Sequence, residues 1–227
     1  MSLRVPMADL APGERDLGAK AARYVSRVHR LRIGDRFVAF DPEMGVECDA
    51  ELVGASRVLL GAPRTARTAA REITWIHGCP KGDKADAIAR DATELGATRI
   101  VFVHTARIVA RPPAARVARW ERVAREAARQ CGRGDAPAIT LEASWERALD
   151  TRADARVCLD PSGGPLRDVL AKARGSLAFA AGPEGGLTEG ELAAATARGF
   201  AVCRLGEFTM RTETVAAAAL GAAALFS

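Results

Sequence analysis

No two of the five cysteines, Cys48, Cys79, Cys131, Cys158 and Cys203, stand in C-x-x-C spacing, and their number is odd. That argues against a disulfide framework and against a zinc site, and fits a reducing cytoplasm. Histidine is scarce: His29, His77 and His104 have no metal-ligand spacing and form no arguable Ser-His-Asp arrangement, so no metal is expected. Nucleotide signatures are missing as well. With neither G-x-G-x-x-G after the first strand nor G-x-x-x-x-G-K-[ST], the chain is not an ordinary Rossmann dehydrogenase or a P-loop enzyme. No pair of carboxylates stands out as a glycosidase would require. The N-terminal Met-Ser-Leu-Arg-Val-Pro-Met-Ala-Asp has no apolar core ahead of a small-residue cleavage site, so no export is expected. The apolar tail from Val215 to Phe226 is mostly alanine and well short of the roughly 20 residues of a membrane span, so it reads as a buried helix and no membrane partner is expected.

Lysine is nearly absent too. Lys20, Lys81, Lys84 and Lys172 are the only lysines among 33 basic residues, so arginine carries most of the formal charge of +5. Excess base favours a polyanionic partner such as nucleic acid, although an Arg- and Ala-rich composition explains part of it, and the placement of the charge is more telling than its sum.

At 227 residues and 48% hydrophobic, the chain is large enough for two unequal cores. Short strands over 36–40, 46–53 and 56–61, with a turn at Asp41 to Gly45, follow a helical pattern from Gly18 to Leu31. On that helix Arg23, Arg27 and Arg30 fall at spacings of four and three and share a face. The polar run 62–68 has no apolar period and sets the boundary between domains 1–68 and 69–227. Beyond it strands and helices alternate. Strands are expected at 73–76, 99–104, 138–141, 157–159, 176–181 and 201–205. Helices are expected at 83–95, 114–131 and 166–173, over a capping box Thr188/Glu191 stopped by Gly199, and at the C-terminus. On the 114–131 helix Val117, Trp120, Ala124, Ala127 and Cys131 form the packing face. This alternation implies an α/β fold with a mainly parallel sheet, helices on both faces and a ligand at the strand C-terminal ends.

Two loops occupy that position. An apolar strand runs into Gly182-Pro183-Glu184-Gly185-Gly186, and a second ends at Leu205-Gly206, so bare backbone can approach a flat, nucleoside-type ligand. Directly after come Met210, Arg211, Thr212, Glu213 and Thr214, which offer a cation, a carboxylate and hydroxyls at a helix start. Lys81 and Lys84 sit at another helix entry, where an anion such as RNA phosphate is favoured; in the plainer reading Asp83 caps that helix and the lysines are solvated. The histidines read as structural or RNA-facing, and Trp75, Trp120 and Trp145 as core.

These motifs occur in a consistent order: Lys-Gly-Asp-Lys at 81–84, Ala-Thr-Glu-Leu-Gly at 92–96, Arg-Trp at 119–120, Glu-Ala-Ala-Arg-Gln-Cys-Gly-Arg at 126–133, Gly-Pro-Glu-Gly-Gly at 182–186, and Leu-Gly followed by Arg-Thr-Glu-Thr. Together they resemble the RsmE-type 16S rRNA uracil-N3 methyltransferases of the SPOUT superfamily, over nearly the whole chain. The resemblance implies a small N-terminal PUA-like RNA-binding β-barrel over 1–68. It also implies a C-terminal methyltransferase domain over 69–227 tied in a deep trefoil knot, a cytoplasmic homodimer, and 16S ribosomal RNA or the small subunit as partner. It further implies that Gly182, Pro183, Glu184, Gly185, Gly186, Leu205, Gly206, Met210, Arg211 and Thr212 line an S-adenosylmethionine pocket. Leu187, Met210 and His77-Gly78-Cys79 depart from the family's more usual residues. In the expected chemistry Arg211 stabilises charge on the uracil and Glu213 takes its N3 proton, or else these two residues only pair with each other or bridge the dimer. Arg23, Arg27, Arg30, Lys81 and Lys84 are expected on the RNA. Two other readings stay open: an enzyme of the same superfamily acting elsewhere on RNA, and a non-catalytic RNA-binding assembly factor.

Overall fold

The structure, a computed structural model, describes residues 3–41, 44–109 and 111–226, with the backbone alone at Lys20. Its chain divides into two units, one of residues 1–68 with 128–136 and one of 69–127 with 137–227. The second stretch of the first unit begins inside a helix, so a boundary drawn only at residue 68 leaves out residues that return to the N-terminal unit.

The first unit is a six-stranded sheet in the order β1 (Arg4–Pro6), β3 (Arg36–Asp41), β4 (Val46–Leu52), β5 (Arg57–Leu60) and β2 (Gly13–Asp16), with β6 (Arg64–Thr65) also on β4. Only β1 and β3 run parallel; the other pairings are antiparallel. Val5, Phe37, Ala39, Cys48, Ala50, Val58 and Leu60 form its core by simple alternation along the strands. Arg4 lies over the Phe40 ring and pairs with Glu47 at 2.5 Å, both side chains largely buried.

Two expectations change here. The helix read over Gly18 to Leu31 is an α-helix only over α1 (Gly18–Arg23) and then widens to a π-helical turn over Tyr24–Val28. His29 N–H bonds the Tyr24 carbonyl five residues back, and Arg30 takes a left-handed φ of 54°. Arg23, Arg27 and Arg30 are all exposed, but they do not share an α-helical face. The polar run 62–68 contains strand β6, whose two exposed residues carry no alternation from which a strand could be read. Of the turn expected at Asp41 to Gly45, Pro42 and Glu43 lie outside the described residues.

The second unit is a six-stranded sheet in which every neighbouring pair is parallel. Its order is β12 (Ala201–Arg204), β10 (Ala155–Pro165), β11 (Leu177–Ala181), β7 (Ile73–Gly78), β8 (Arg99–Val103) and β9 (Ala138–Glu142). The central strands are covered on both sides, which is why β11 reads as an unbroken apolar run, Leu-Ala-Phe-Ala-Ala, buried at every position. Alternate strand residues divide between two cores. Trp75, Ile100, Phe102, Val157 and Phe179 meet α2 (Lys84–Glu94), α3 (Arg116–Cys131), α5 (Leu166–Leu170) and α7 (Thr212–Ala224). Ile76, Val101, Cys158, Ala178 and Ala180 meet α4 (Trp145–Leu149) and α6 (Glu189–Ala197). Helices α2 and α6 stop ahead of Gly96 and Gly199, both at positive φ, as glycine at that position allows. The three tryptophans are core residues, each 3% exposed or less. No helix among the described residues is long and apolar enough to cross a membrane.

Strand β10 departs most from its sequence reading. It runs to Pro165, and its register against β12 shifts between Leu159 and Gly164. Residues 160–163 therefore bow out over the edge strand. At Gly163 the backbone of Val202 and Cys203 leaves no room for a Cβ, so only glycine permits this approach.

Candidate active site

At the bow of β10 and the C-terminal ends of β11 and β12 three segments line a cavity of about 610 Å³: Leu159 to Pro161, 181–187 and 203–212. That volume lies within the range of small-molecule sites, roughly 300–1,000 Å³. Its apolar surface includes Leu159, Ala181, Leu187, Cys203, Leu205 and Val215, and burial pushes the Cys203 thiol up, so it stays protonated and packs as a small apolar group. Bare backbone supplies much of the rest. At Gly182 a Cβ would stand 2.9 Å from the Gly186 carbonyl carbon, so the loop closes on itself only because that residue has no side chain.

Of the residues singled out in the sequence, Gly182, Pro183, Glu184, Gly186, Leu205, Gly206, Met210, Arg211 and Thr212 line this cavity together. Gly185 does not. It faces the other way, its carbonyl accepting from Arg107 Nη1 at 3.1 Å, and the same guanidinium holds the Leu187 carbonyl at 3.2 Å. Arg107 is thus the clamp of the loop. The sequence reading missed Asp160 and Pro161 from the bowed segment, and Glu207, Phe208 and Thr209 between the two predicted patches. The Pro-Ser-Gly-Gly-Pro run at 161–165 was the available signal. Phe208 is 82% exposed at the cavity rim.

The charged rim has a definite arrangement. Lys84 Nζ stands 2.9 Å from Glu184 Oε1 and 3.4 Å from Glu213 Oε2, and the Glu184 carboxylate also accepts from the Lys81 backbone N–H at 3.1 Å. Burial works to raise the Glu184 pKa, but the bonds from Lys84 and from backbone N–H groups outweigh it and hold the carboxyl below its usual value. Glu213 is held low by its own backbone N–H, against a desolvation cost, and by Lys84 and Arg211. These carboxylates in turn raise Lys84, the Glu184 hydrogen bond first. Lys84 therefore belongs to the pocket rim, where its charge is already matched, while Lys81 is exposed. Asp83 stands at the N-cap of α2 without a capping bond, its carboxylate taking Arg116 and Arg119 instead. Arg211, at the N-cap of α7, is exposed and its guanidinium makes no hydrogen bond or ion pair among the described residues.

Behind the rim His77 is fully enclosed. It accepts from Trp75 Nε1 at 3.2 Å and meets the Thr212 hydroxyl at 2.8 Å, and Thr212 Oγ1 is 3.1 Å from the Gly182 carbonyl. Burial lowers its pKa to about 4, against the pull of the Glu184 and Glu213 charges, so the ring is neutral at physiological pH. His29 is exposed, edge-on to Tyr24, and the His104 Nε2 is buried with no hydrogen-bond partner among the described residues.

Residues 67–224 match the family model of the RNA methyltransferase domain. The ribosomal RNA small subunit methyltransferase E of Mycobacterium bovis is 32% identical over 216 residues, 88% of this chain and 81% of that protein. The Bacillus subtilis protein of the same name is 29% identical over 88% and 85%. Among solved structures, the ribosomal RNA small subunit methyltransferase E of Neisseria gonorrhoeae bound to S-adenosyl methionine superposes with a TM-score of 0.83 at 29% identity, covering 98% of this chain and 96% of that one. The all-parallel sheet with its pocket at the strand ends is thus the mixed α/β fold of these enzymes, and the chain belongs to the RNA methyltransferase family, in the group of the ribosomal RNA small subunit methyltransferases E.

Proposed function

We propose that this protein transfers the methyl group of S-adenosylmethionine to N3 of a specific uridine in 16S ribosomal RNA, working in the cytoplasm as a homodimer on the RNA or the small subunit. The observation that carries this reading is the single cavity walled by both glycine loops, in a chain whose N. gonorrhoeae relative was solved with S-adenosyl methionine. The residues fit such a donor. Backbone-rich walls at Gly182, Gly186 and Gly206 admit a flat nucleoside, the apolar floor suits its adenine, and the carboxylates of Glu184 and Glu207 suit a cationic end.

When bound, S-adenosylmethionine supplies an electrophilic methyl on a sulfonium. The chain's own work is chiefly positioning, since in-line attack needs the nucleophile within about 3 to 3.5 Å. Uracil N3 must lose a proton, which passes to solvent water, and its loss spreads negative charge onto the two carbonyl oxygens. Arg211, whose charge acts on Glu213 but whose guanidinium makes no hydrogen bond or ion pair among the described residues, stands at the cavity edge and is the group that stabilises that charge. Glu213 is ionised and bound to Lys84, which suits it to brace the rim, and its lowered proton affinity makes it a weak base. Because N3 is a pairing atom, the target base must be unpaired or turned out of its stack. Exposed Arg23, Arg27, Arg30 and Lys81 are assigned to the surrounding phosphates.

Residues 1–68, which carry all six strands of the first sheet, are read as a PUA-like barrel, and 69–227 as a knotted SPOUT domain. The knot reading is supported by the segment that bows across β12 while the chain beyond it returns to pack α7 on α2. The dimer reading is supported by exposed Leu225 and Phe226 at the end of α7. The test is transfer of labelled methyl from S-adenosylmethionine to 16S RNA lacking the modification, with nucleoside mapping. Label at uridine N3, lost by a hundredfold or so in Arg211→Ala as for a missing charge-stabilising donor, is the expected result. Label on another atom or none overturns the assignment.

A further inference from the structure

The contacts of His77 define the direction of every hydrogen in a chain of three bonds. Indole Nε1–H only donates, so Trp75 makes His77 Nδ1 the acceptor, and the single proton of the neutral ring sits on Nε2. Nε2–H then donates to the Thr212 hydroxyl at 2.8 Å, and the remaining hydroxyl hydrogen points to the Gly182 carbonyl at 3.1 Å. His77 is 0% and Thr212 7% exposed, so water does not replace a lost member easily.

This chain of bonds joins three segments at one point: the end of β7, the loop leaving β11 and the first residue of α7. His77 lies beside Ala181 in the β7–β11 register, directly behind Gly182. Both far members, Gly182 and Thr212, line the cavity, and Thr212 follows Arg211.

We propose that His77 is a positioning residue for the methyl-donor pocket. Through the Thr212 hydroxyl it locks the 182–187 loop to the start of α7 and so fixes the pocket wall and the backbone from which Arg211 extends. The proposal rests on the reading of this cavity as the S-adenosylmethionine site. Its logic predicts which replacements work. His77→Gln keeps an N–H near the place of Nε2, and Thr212→Ser keeps the hydroxyl, whereas His77→Leu and Thr212→Val keep bulk and lose the bonds.

The experiment is calorimetric titration of the wild type, Thr212→Val, Thr212→Ser, His77→Leu, His77→Gln and the Thr212→Val/His77→Leu double variant with S-adenosylmethionine, alongside melting of each ligand-free protein. Thr212→Val and His77→Leu should each weaken donor binding about tenfold, the size of one lost buried hydrogen bond. The double variant should be no worse than the poorer single one, because one relay has been cut twice. Thr212→Ser and His77→Gln should recover most of the affinity. If Thr212→Val and His77→Leu melt lower yet bind the donor as the wild type does, or if their losses add, the relay does not position the pocket. Should His77→Leu not fold, the Thr212→Val and Thr212→Ser pair decides alone. A wild type that fails to bind S-adenosylmethionine defeats the cofactor reading itself, a different outcome from variants that match a binding wild type.

Discussion

His77 shows how a single buried side chain ties stability to pH. Its ring titrates near 4 in the folded protein against 6.5 unperturbed, because burial penalises the charged form; Glu184 and Glu213 are the charges that oppose this, with Trp75 and Thr212 in contact. The unfolded chain therefore takes up a proton between those two values while the folded one does not. Stability from this group is complete above pH 6.5 and declines as pH falls toward 4, by about 1.4 kcal/mol per pH unit and on the order of 3 kcal/mol in all. Urea unfolding of the wild type and His77→Gln at pH 7, 6, 5 and 4.5 should show a steeper decline in the wild type. Equal slopes would mean that the ring is not held neutral. None of this was legible in the sequence, where His77 read only as structural or RNA-facing, since its partner Thr212 lies 135 positions away.

Elements were legible in proportion to their length and burial. The strands at the centre of the parallel sheet announced themselves as short apolar runs, and the capping box at Thr188 and Glu191 is present as its spacing implied. Strands β1, β2 and β6 went unread because two to four partly exposed residues carry no period. The π-helical turn after α1 keeps a helical composition while changing which residues share a face. Glu191 has a wider role than its motif suggests. One carboxylate oxygen serves Thr188, and the other accepts from the Ala106 backbone N–H at 2.7 Å, in the segment that carries Arg107 to the Gly185 loop. Thr188→Ala should cost about 1 kcal/mol of stability, as a lost cap, and Glu191→Ala about 2 kcal/mol, because two partly buried hydrogen bonds, from the Thr188 and Ala106 backbone N–H groups, lose their charged acceptor. Denaturant unfolding checks the order; a Glu191→Ala cost no larger than that of Thr188→Ala would show that the Ala106 bond contributes nothing.

For the molecule as a whole, order along the chain was readable and closure in space was not. The two glycine loops were visible as motifs, yet the cavity they share also needs the bow of β10 over β12, which follows from a register shift that no local pattern encodes. The chain divides after Thr68, at the polar run, while 128–136 join the first unit through long-range contacts that no local pattern encodes. The central claim is that the 182–187 and 205–212 segments form one berth for the methyl donor. A crystal structure with S-adenosylmethionine tests it most directly. Density for the donor between these segments, its methyl turned toward Arg211, is the predicted result; donor density at another site, with these segments empty, would contradict the account.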